Sequence, residues 1–224
     1  MKLTNFKLAI GIPLSFHMIP SAFFDSFIVM EKPPFTYLRT SSGNLDEMRN
    51  AIVEDAFTIG ATHLMMMDTD QIYHHKTIPQ LLSHKLPVVG TLVYRRYPPF
   101  DPLMLKGKIG EYKSIAEWEP DSLVEVDATG TGCLLFEMDV FRRIPRPWFA
   151  FRKDLNGNPI GEDIGFCQDI RNAGFRIYVD TSVPAGHLSQ MQITEGTWRL
   201  YSRLQEAKNR YREEHGILMA DNPA

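Results

Sequence analysis

The stretch Thr62-His63-Leu64-Met65-Met66-Met67-Asp68-Thr69-Asp70 constrains the fold of this chain more than any other. Its apolar run is short, follows Gly60 and ends in polar residues, the pattern of a buried strand. Asp68 and Asp70 then stand at the C-terminal tip of that strand, the edge at which open α/β sheets bind ligands. Two carboxylates so close repel each other unless a cation joins them, and hard oxygen ligands suit Mg²⁺ or Mn²⁺. A divalent ion held there can grip a diphosphate, which points to an enzyme acting on a nucleotide-activated substrate.

The elements around this strand read as alternating strand and helix. Lys7 to Leu14 is expected as a first buried strand, and Ser15 to Phe27 as a short helix. Lys32-Pro33-Pro34 interrupts any regular element. Asn44 and Glu47 have the spacing of a capping box; Leu45, Met48, Ile52, Ala56 and Ile59 continue at helical intervals until Gly60. Thr77 to His84 reads as a helix and Leu86 to Tyr94 as a strand. This order predicts a mostly parallel sheet with right-handed crossovers.

The middle is less regular. Arg95 to Pro102 holds three prolines, and Leu103 to Glu119 reads as hairpin or loop. Strands are expected over Leu123–Asp127, Cys133–Glu137 and Phe175–Val179. Helices are expected over Asp139–Ile144, Asp163–Asn172 and Glu195–His215, with a tight turn at Asn156-Gly157. No linker divides the chain, so one domain is predicted over 1–224. Its nucleotide-binding part covers about 1–95, its acceptor part about 96–190, and a terminal helix about 195–215.

Composition removes several alternatives. With 44% apolar and 23% charged residues the chain is an ordinary soluble globular protein. A formal net charge of -3 gives no reason for wholesale binding to nucleic acid or anionic membrane. Cys133 and Cys167 are too few for a disulfide framework and read as core residues in a reducing, cytoplasmic setting. No segment approaches the roughly 18 uninterrupted apolar residues of a membrane span, so no integral membrane segment is expected.

Further polar clusters stand beside Asp68 and Asp70. Glu162 and Asp163 open a predicted helix, where the dipole and capping favour acids; the functional alternative is a general base for an acceptor hydroxyl. His187 is either a loop histidine or a neutral imidazole completing a cation shell with Asp70. Arg49 is either a surface arginine or a contact for a phosphate or base. Arg95-Arg96-Tyr97-Pro98-Pro99 is either a solvated basic loop or a lid whose cations meet a diphosphate. Trp148-Phe149 is either an apolar wall for a sugar ring or an aromatic plug under the sheet. Phe16 or His17 offers a stacking surface for a base, with core packing preferred for Phe16. Thr129 to Gly132 would let an acceptor approach the backbone closely. The terminal helix carries Arg199, Arg203, Lys208, Arg210 and Arg212 beside Trp198, Tyr201, Leu204 and Tyr211. A solvated face is preferred there over an anionic partner such as DNA or lipid head groups.

Taken in order, these motifs resemble those of glycosyltransferases of the GT-A fold, in particular family 2 and its small phage and bacterial relatives. The resemblance rests on Gly11-Ile12-Pro13 after the first strand, Met48-Arg49-Asn50-Ala51, the segment His63 to Asp70, Gly130-Thr131-Gly132-Cys133-Leu134-Leu135, and Gly161-Glu162-Asp163-Ile164-Gly165-Phe166-Cys167. It spans about residues 7–190. It implies an α/β, Rossmann-like, mixed but mostly parallel sheet flanked by helices. It also implies transfer of a sugar from a UDP- or GDP-sugar to a hydroxyl acceptor: a glycan, a lipid-linked sugar or a modified nucleic acid. Asp68 would contact the ribose or the metal, Asp70 and His187 would coordinate Mn²⁺ or Mg²⁺, and Asp163, or else Glu162, would be the base. Pro13, Arg49, Thr69 and Arg95 would complete the nucleotide-sugar site, and Thr131, Gly132 and Trp148 the acceptor site. In-line attack would invert the anomeric centre. The sequence departs from family 2 directly after the first strand, where polar and acidic residues are usual and Pro13-Leu14-Ser15 stands instead.

Two other classes compete. A sugar nucleotidyltransferase also uses carboxylate-held Mg²⁺, but its glycine-rich basic loop after the first strand has no counterpart in Gly11-Ile12-Pro13. A noncatalytic sugar- or polymer-binding domain would have no need of Asp70, Asp163 and His187 together.

Overall fold

The computed structural model of the chain describes residues 6–14, 18–154 and 156–214. Phe16, His17 and His215 lie outside them. Two compact units meet the eye in the chain, one ending at Leu188 and the other beginning at Ser189.

The first unit runs β1 (Leu8–Pro13), α1 (Ser21–Val29), β2 (Phe35–Thr40), α2 (Leu45–Thr58), β3 (His63–Met67), β4 (Gln71–Ile72), α3 (Thr77–Ser83), β5 (Val88–Thr91), β6 (Leu105–Lys106), β7 (Lys113–Ser114), β8 (Leu123–Val126), β9 (Cys133–Glu137), α4 (Met138–Arg143), β10 (Arg152–Lys153), β11 (Pro159–Ile160), α5 (Glu162–Asn172), β12 (Ile177–Asp180) and β13 (Gly186–His187). The second unit carries α6 (Glu195–Glu214). No helix among the described residues is long and apolar enough to cross a membrane.

Seven strands form one sheet in the order β2-β1-β3-β9-β5-β12-β8. Strands β1, β2, β3, β5 and β12 point one way, and β8 and β9 run against them. Alternation along the central strands explains the layers. Leu64 and Met66 of β3, with Leu134 and Phe136 of β9, face a core closed by Ile52, Phe141, Phe149 and Phe166. Met65 and Met67, with Cys133 and Leu135, face the opposite core with Phe23, Ile78 and Leu81. Both faces are therefore covered, and each buried side chain of this size contributes about 1.5–3 kcal/mol. Both cysteines are free and buried.

Helix α2 begins as its sequence dictates. Both halves of the capping box between Asn44 and Glu47 are formed. It ends where Gly60 takes φ +69°, a left-handed conformation that favours glycine. Two features differ from expectation. Strand β2 forms directly after Pro34, at the sheet edge, where its residues need only one neighbour. The first helix starts at Ser21, after Pro20, rather than near Ser15.

Connectivity sets which candidate residues share one edge of the sheet. A helix that leads into a parallel strand runs against it, so its N-terminus lies near that strand's C-terminal tip. This places the start of α2 beside the tip of β3, and the start of α5 on the same side of the sheet. Strand β9 runs antiparallel to β3, pairing Cys133 with Met67. Its entry turn, Gly130 to Gly132, consequently meets Asp68.

Candidate functional site

At that edge a single arginine joins two elements. Arg49, from the first turns of α2, is 2% exposed. Its Nη2 donates to both carboxylate oxygens of Asp68 at 3.0 Å, and its Nε donates to Glu162 Oε1 at 3.2 Å. Burial disfavours the guanidinium charge, but Asp68 and Glu162 outweigh it and hold the group more firmly protonated than usual. Among the described residues its Nη1 has no hydrogen-bond partner, and neither do Gln71 Oε1 and Thr131 Oγ1. The adjacent Asn50 fastens the neighbouring loop. Its Oδ1 accepts from the backbone N–H groups of Trp148 and Phe149, and its Nδ2 donates to the Phe149 carbonyl at 2.7 Å.

The turn after β3 is fixed from two further sides. Asp68 N–H donates to the Gly132 carbonyl at 2.9 Å. The buried Tyr73 hydroxyl shares its proton between the carbonyls of Asp68, at 2.6 Å, and Gly132, at 2.8 Å. A Cβ at Gly132 would stand 2.2 Å from Gln71 Nε2 and 2.7 Å from Asp68 Oδ2. A side chain at 132 would push the ends of Gln71 and Asp68 aside, so glycine leaves Asp68 free to face Arg49.

Asp163 follows Glu162 at the start of α5 and is partly covered. Its Oδ1 accepts from the Ile164 N–H at 2.7 Å. Its Oδ2 looks toward Gly130, whose Cβ, if present, would be 3.8 Å away. Burial first, and then the Glu162 charge, push this carboxyl up to about 6; Arg49 and the Ile164 N–H oppose that rise without cancelling it. A carboxyl so placed is ionised at neutral pH yet more basic than an exposed aspartate, which suits proton abstraction.

Asp70 belongs to a second group. Its Oδ2 is 2.8 Å from Arg96 Nη1 and 3.5 Å from His187 Nε2. His187 is brought there by the pairing of β13 with β4, which sets His187 opposite Gln71, and by the Leu188 N–H donating to the Asp70 carbonyl at 2.7 Å. His187 Nδ1 lies 2.7 Å from the Tyr94 carbonyl. A carbonyl can only accept, so Nδ1 carries a proton and the remaining nitrogen faces Asp70. Burial alone would raise the Asp70 carboxyl, but His187 and Arg96 override it and hold it below its usual range. Burial likewise opposes the His187 charge, and Asp70 with the Tyr94 carbonyl reverses this.

The anticipated residues distribute as follows. Asp68, Arg49, Glu162, Asp163 and Gly132 meet in one cluster. Asp70 and His187 meet in the other, separated from it along the chain by Thr69 in the turn. Arg95 lines a cleft of about 310 Å³ with Arg96, Tyr97, Pro98, Asp101 and His187. Pro13 is buried at the end of β1, two residues beyond the Gly11–Met66 pair. Thr131 is buried beside Gly132. Trp148 is not among the residues that meet here. It is 3% exposed, and its indole N–H is spent on the carbonyls of Phe141 and Ile144. Among the described residues no three His, Cys, Asp or Glu side chains are arranged as a metal centre. Asp70 and His187 supply two donors, while Asp68 is turned to Arg49.

Tyr73 and Gln71 are parts of the site that sequence reasoning did not single out, and Arg96 is named there only with the whole 95–99 loop. Tyr73 had a readable signal: a tyrosine in the segment following the carboxylates must find a partner for its hydroxyl if buried. Arg96 could be told from Arg95 only by the loop's geometry.

No family model and no curated protein matches this sequence. Solved structures do share its fold. A197 from STIV aligns with a TM-score of 0.55 at 15% identity, over 85% of this chain and 97% of that one. GalNAc-T7, solved with UDP, GalNAc and Mn²⁺, aligns with a TM-score of 0.54 at 11% identity, over 84% of this chain and 45% of that one. Residues 1–349 of S. aureus TarS, in complex with UDP-GlcNAc, align with a TM-score of 0.50 at 13% identity, over 84% of this chain and 60% of that one. The chain thus spans about half the length of these two glycosyltransferases. At such identities the likeness is one of architecture: the mixed seven-stranded sheet with its flanking helices is the GT-A fold.

Proposed function

We propose that this protein is a cation-dependent glycosyltransferase that moves a sugar from a UDP- or GDP-sugar to a hydroxyl acceptor, with inversion at the anomeric carbon. The observation that carries this reading is the Arg49 bridge. It ties the acidic tip of β3 to the start of α5, so that a carboxyl raised to about 6 stands on the same edge as Asp68 and Asp70.

The donor set fits a hard divalent ion such as Mn²⁺ or Mg²⁺. A carboxylate oxygen and an imidazole nitrogen lie side by side, and the other imidazole nitrogen is fixed by a carbonyl, the support that metal-bound histidines usually have. Asp70 and His187 would hold the ion, with Asp68 behind them. Bound there, it supplies positive charge against the departing nucleoside diphosphate.

The chain's own residues do the rest. Asp163 accepts the proton of the acceptor hydroxyl, a contribution typically worth 10²–10⁴-fold. Arg49 holds Asp68 and Glu162 in register, and Asp68, still partly exposed, meets the ribose. Arg95 and Arg96 face the diphosphate from the loop after β5. The turn Gly130–Gly132 leaves backbone open to the acceptor, which on this reading is a glycan, a lipid-linked sugar or a modified nucleic acid. Residues 1–95 serve the nucleotide and 96–190 the acceptor, in the cytoplasm.

The test is turnover of a panel of UDP- and GDP-sugars with and without Mn²⁺, on wild type and Asp163→Asn. The reading expects Mn²⁺-dependent release of nucleoside diphosphate that the variant loses while still binding donor. Release of pyrophosphate from a nucleoside triphosphate and sugar phosphate would assign a nucleotidyltransferase instead. Donor binding without any turnover across the panel would assign a binding domain.

A further inference from the structure

The second unit holds a face that the proposed transfer does not use. On α6, Leu200, Leu204 and Ala207 fall within about 60° of arc at 100° per residue, with Tyr201 and then Trp198 along one border. Trp198, Leu200, Tyr201 and Leu204 are each more than half exposed. The approach to the helix adds Met191 and Ile193, also exposed. Basic residues flank this stripe on both sides: Arg203 and Arg210 on one, Lys208 on the other. Glu195, Glu206 and Glu213 lie about 160–180° from Leu204, on the opposite pole, and Glu214 lies about 80° from it, beside Arg203. Across α6 five Lys or Arg stand against four Glu, and three of those four glutamates lie on the pole away from the leucines.

We infer that α6 is a docking helix for the surface of a bilayer containing anionic lipid. The charge layout selects this occupant. A second copy of α6 in a helix pair would bring Arg203, Lys208 and Arg210 against their own counterparts beside the seam, like charges that oppose association. A nucleic acid gains nothing from the exposed leucines. A bilayer interface satisfies all three zones: leucines enter the acyl boundary, Trp198 and Tyr201 sit at head-group level, and the basic flanks meet anionic head groups, while Glu195, Glu206 and Glu213 stay in water. The inference is independent of the proposed chemistry.

Co-sedimentation of the full chain with phosphatidylcholine vesicles, with and without phosphatidylglycerol, tests this. Affinity should be on the order of a hundredfold higher on the anionic vesicles at low salt and fall as salt is added. Leu200→Ser with Leu204→Ser should weaken binding roughly tenfold or more, and Arg203→Glu with Arg210→Glu should remove the preference for anionic lipid. Both pairs are exposed, so the thermal midpoint should match wild type. Equal binding to neutral vesicles, no binding to either, or binding indifferent to the leucine pair would each overturn the inference. So would sedimentation velocity showing a dimer that the leucine pair abolishes in a chain that ignores vesicles, because the occupant would then be a second copy.

Discussion

Arg49 holds Asp68 by both carboxylate oxygens at 3.0 Å from a side chain that is almost wholly buried. The same guanidinium reaches Glu162, 113 residues away in sequence. Removing it strands two carboxylates, one of them buried. Arg49→Leu is therefore expected to cost about 3–5 kcal/mol in urea unfolding, toward the lower end because Asp68 keeps partial solvent contact. Arg49→Lys should recover little, since an ammonium cannot span both acids with a planar fork.

Asp163 gives a pH dependence with a defined sign. The unfolded chain ionises this carboxyl near 3.8, whereas the folded chain keeps the proton until about 6. Between those values the folded state binds more protons, so stability contributed by this group falls as pH rises. Asp163→Asn should be as stable as wild type at pH 4 and no less stable, or more so, above pH 6. In activity the sign is opposite: kcat/KM for transfer should decline as pH falls through about 6. Thermal melts across this pH range and a pH–rate profile measure both.

Gly132→Ala should fold and fail to bind donor well. The added methyl meets the side-chain ends of Gln71 and Asp68, which can swing aside, rather than backbone. The thermal midpoint should fall modestly while calorimetric affinity for nucleoside diphosphate drops by about tenfold or more, a loss of roughly 1.4 kcal/mol. Unchanged affinity would show that the position of Asp68 does not matter to the donor.

Arg96→Ala separates stability from function. Its ion pair with Asp70 is partly exposed and screened by solvent, so its loss should change stability by less than about 1 kcal/mol. If Arg96 faces the diphosphate, kcat/KM should nonetheless fall. An unaltered rate would return the loop to a solvated role.

Much of this arrangement is written locally. The apolar run before Asp68, the Asn44–Glu47 capping box and the limits of β9 were all readable, because each depends on neighbours within a few residues. Strands at the second half of the sheet were readable in kind but not in length: Val88–Thr91 and Ile177–Asp180 replace the expected 86–94 and 175–179. Strand β2 was hidden by Pro33-Pro34 and by its half-exposed edge position. The insertion of antiparallel β9 between β3 and β5 is a pairing choice that no local pattern encodes. The same is true of Arg49 meeting Glu162, whereas Trp148 takes the aromatic-plug alternative, its indole N–H bonded to two carbonyls. Asp70 and His187 were readable as candidates by residue type, but their adjacency depends on the β4–β13 pair.

The proposed transfer requires a cation shared by Asp70, His187 and the donor diphosphate. Calorimetric titration of UDP and of GDP into wild type and Asp70→Ala, each with and without Mn²⁺, tests this most directly. The account predicts binding of at least one nucleotide that requires Mn²⁺ and is lost in Asp70→Ala. Nucleotide binding of equal strength in all four conditions would contradict it.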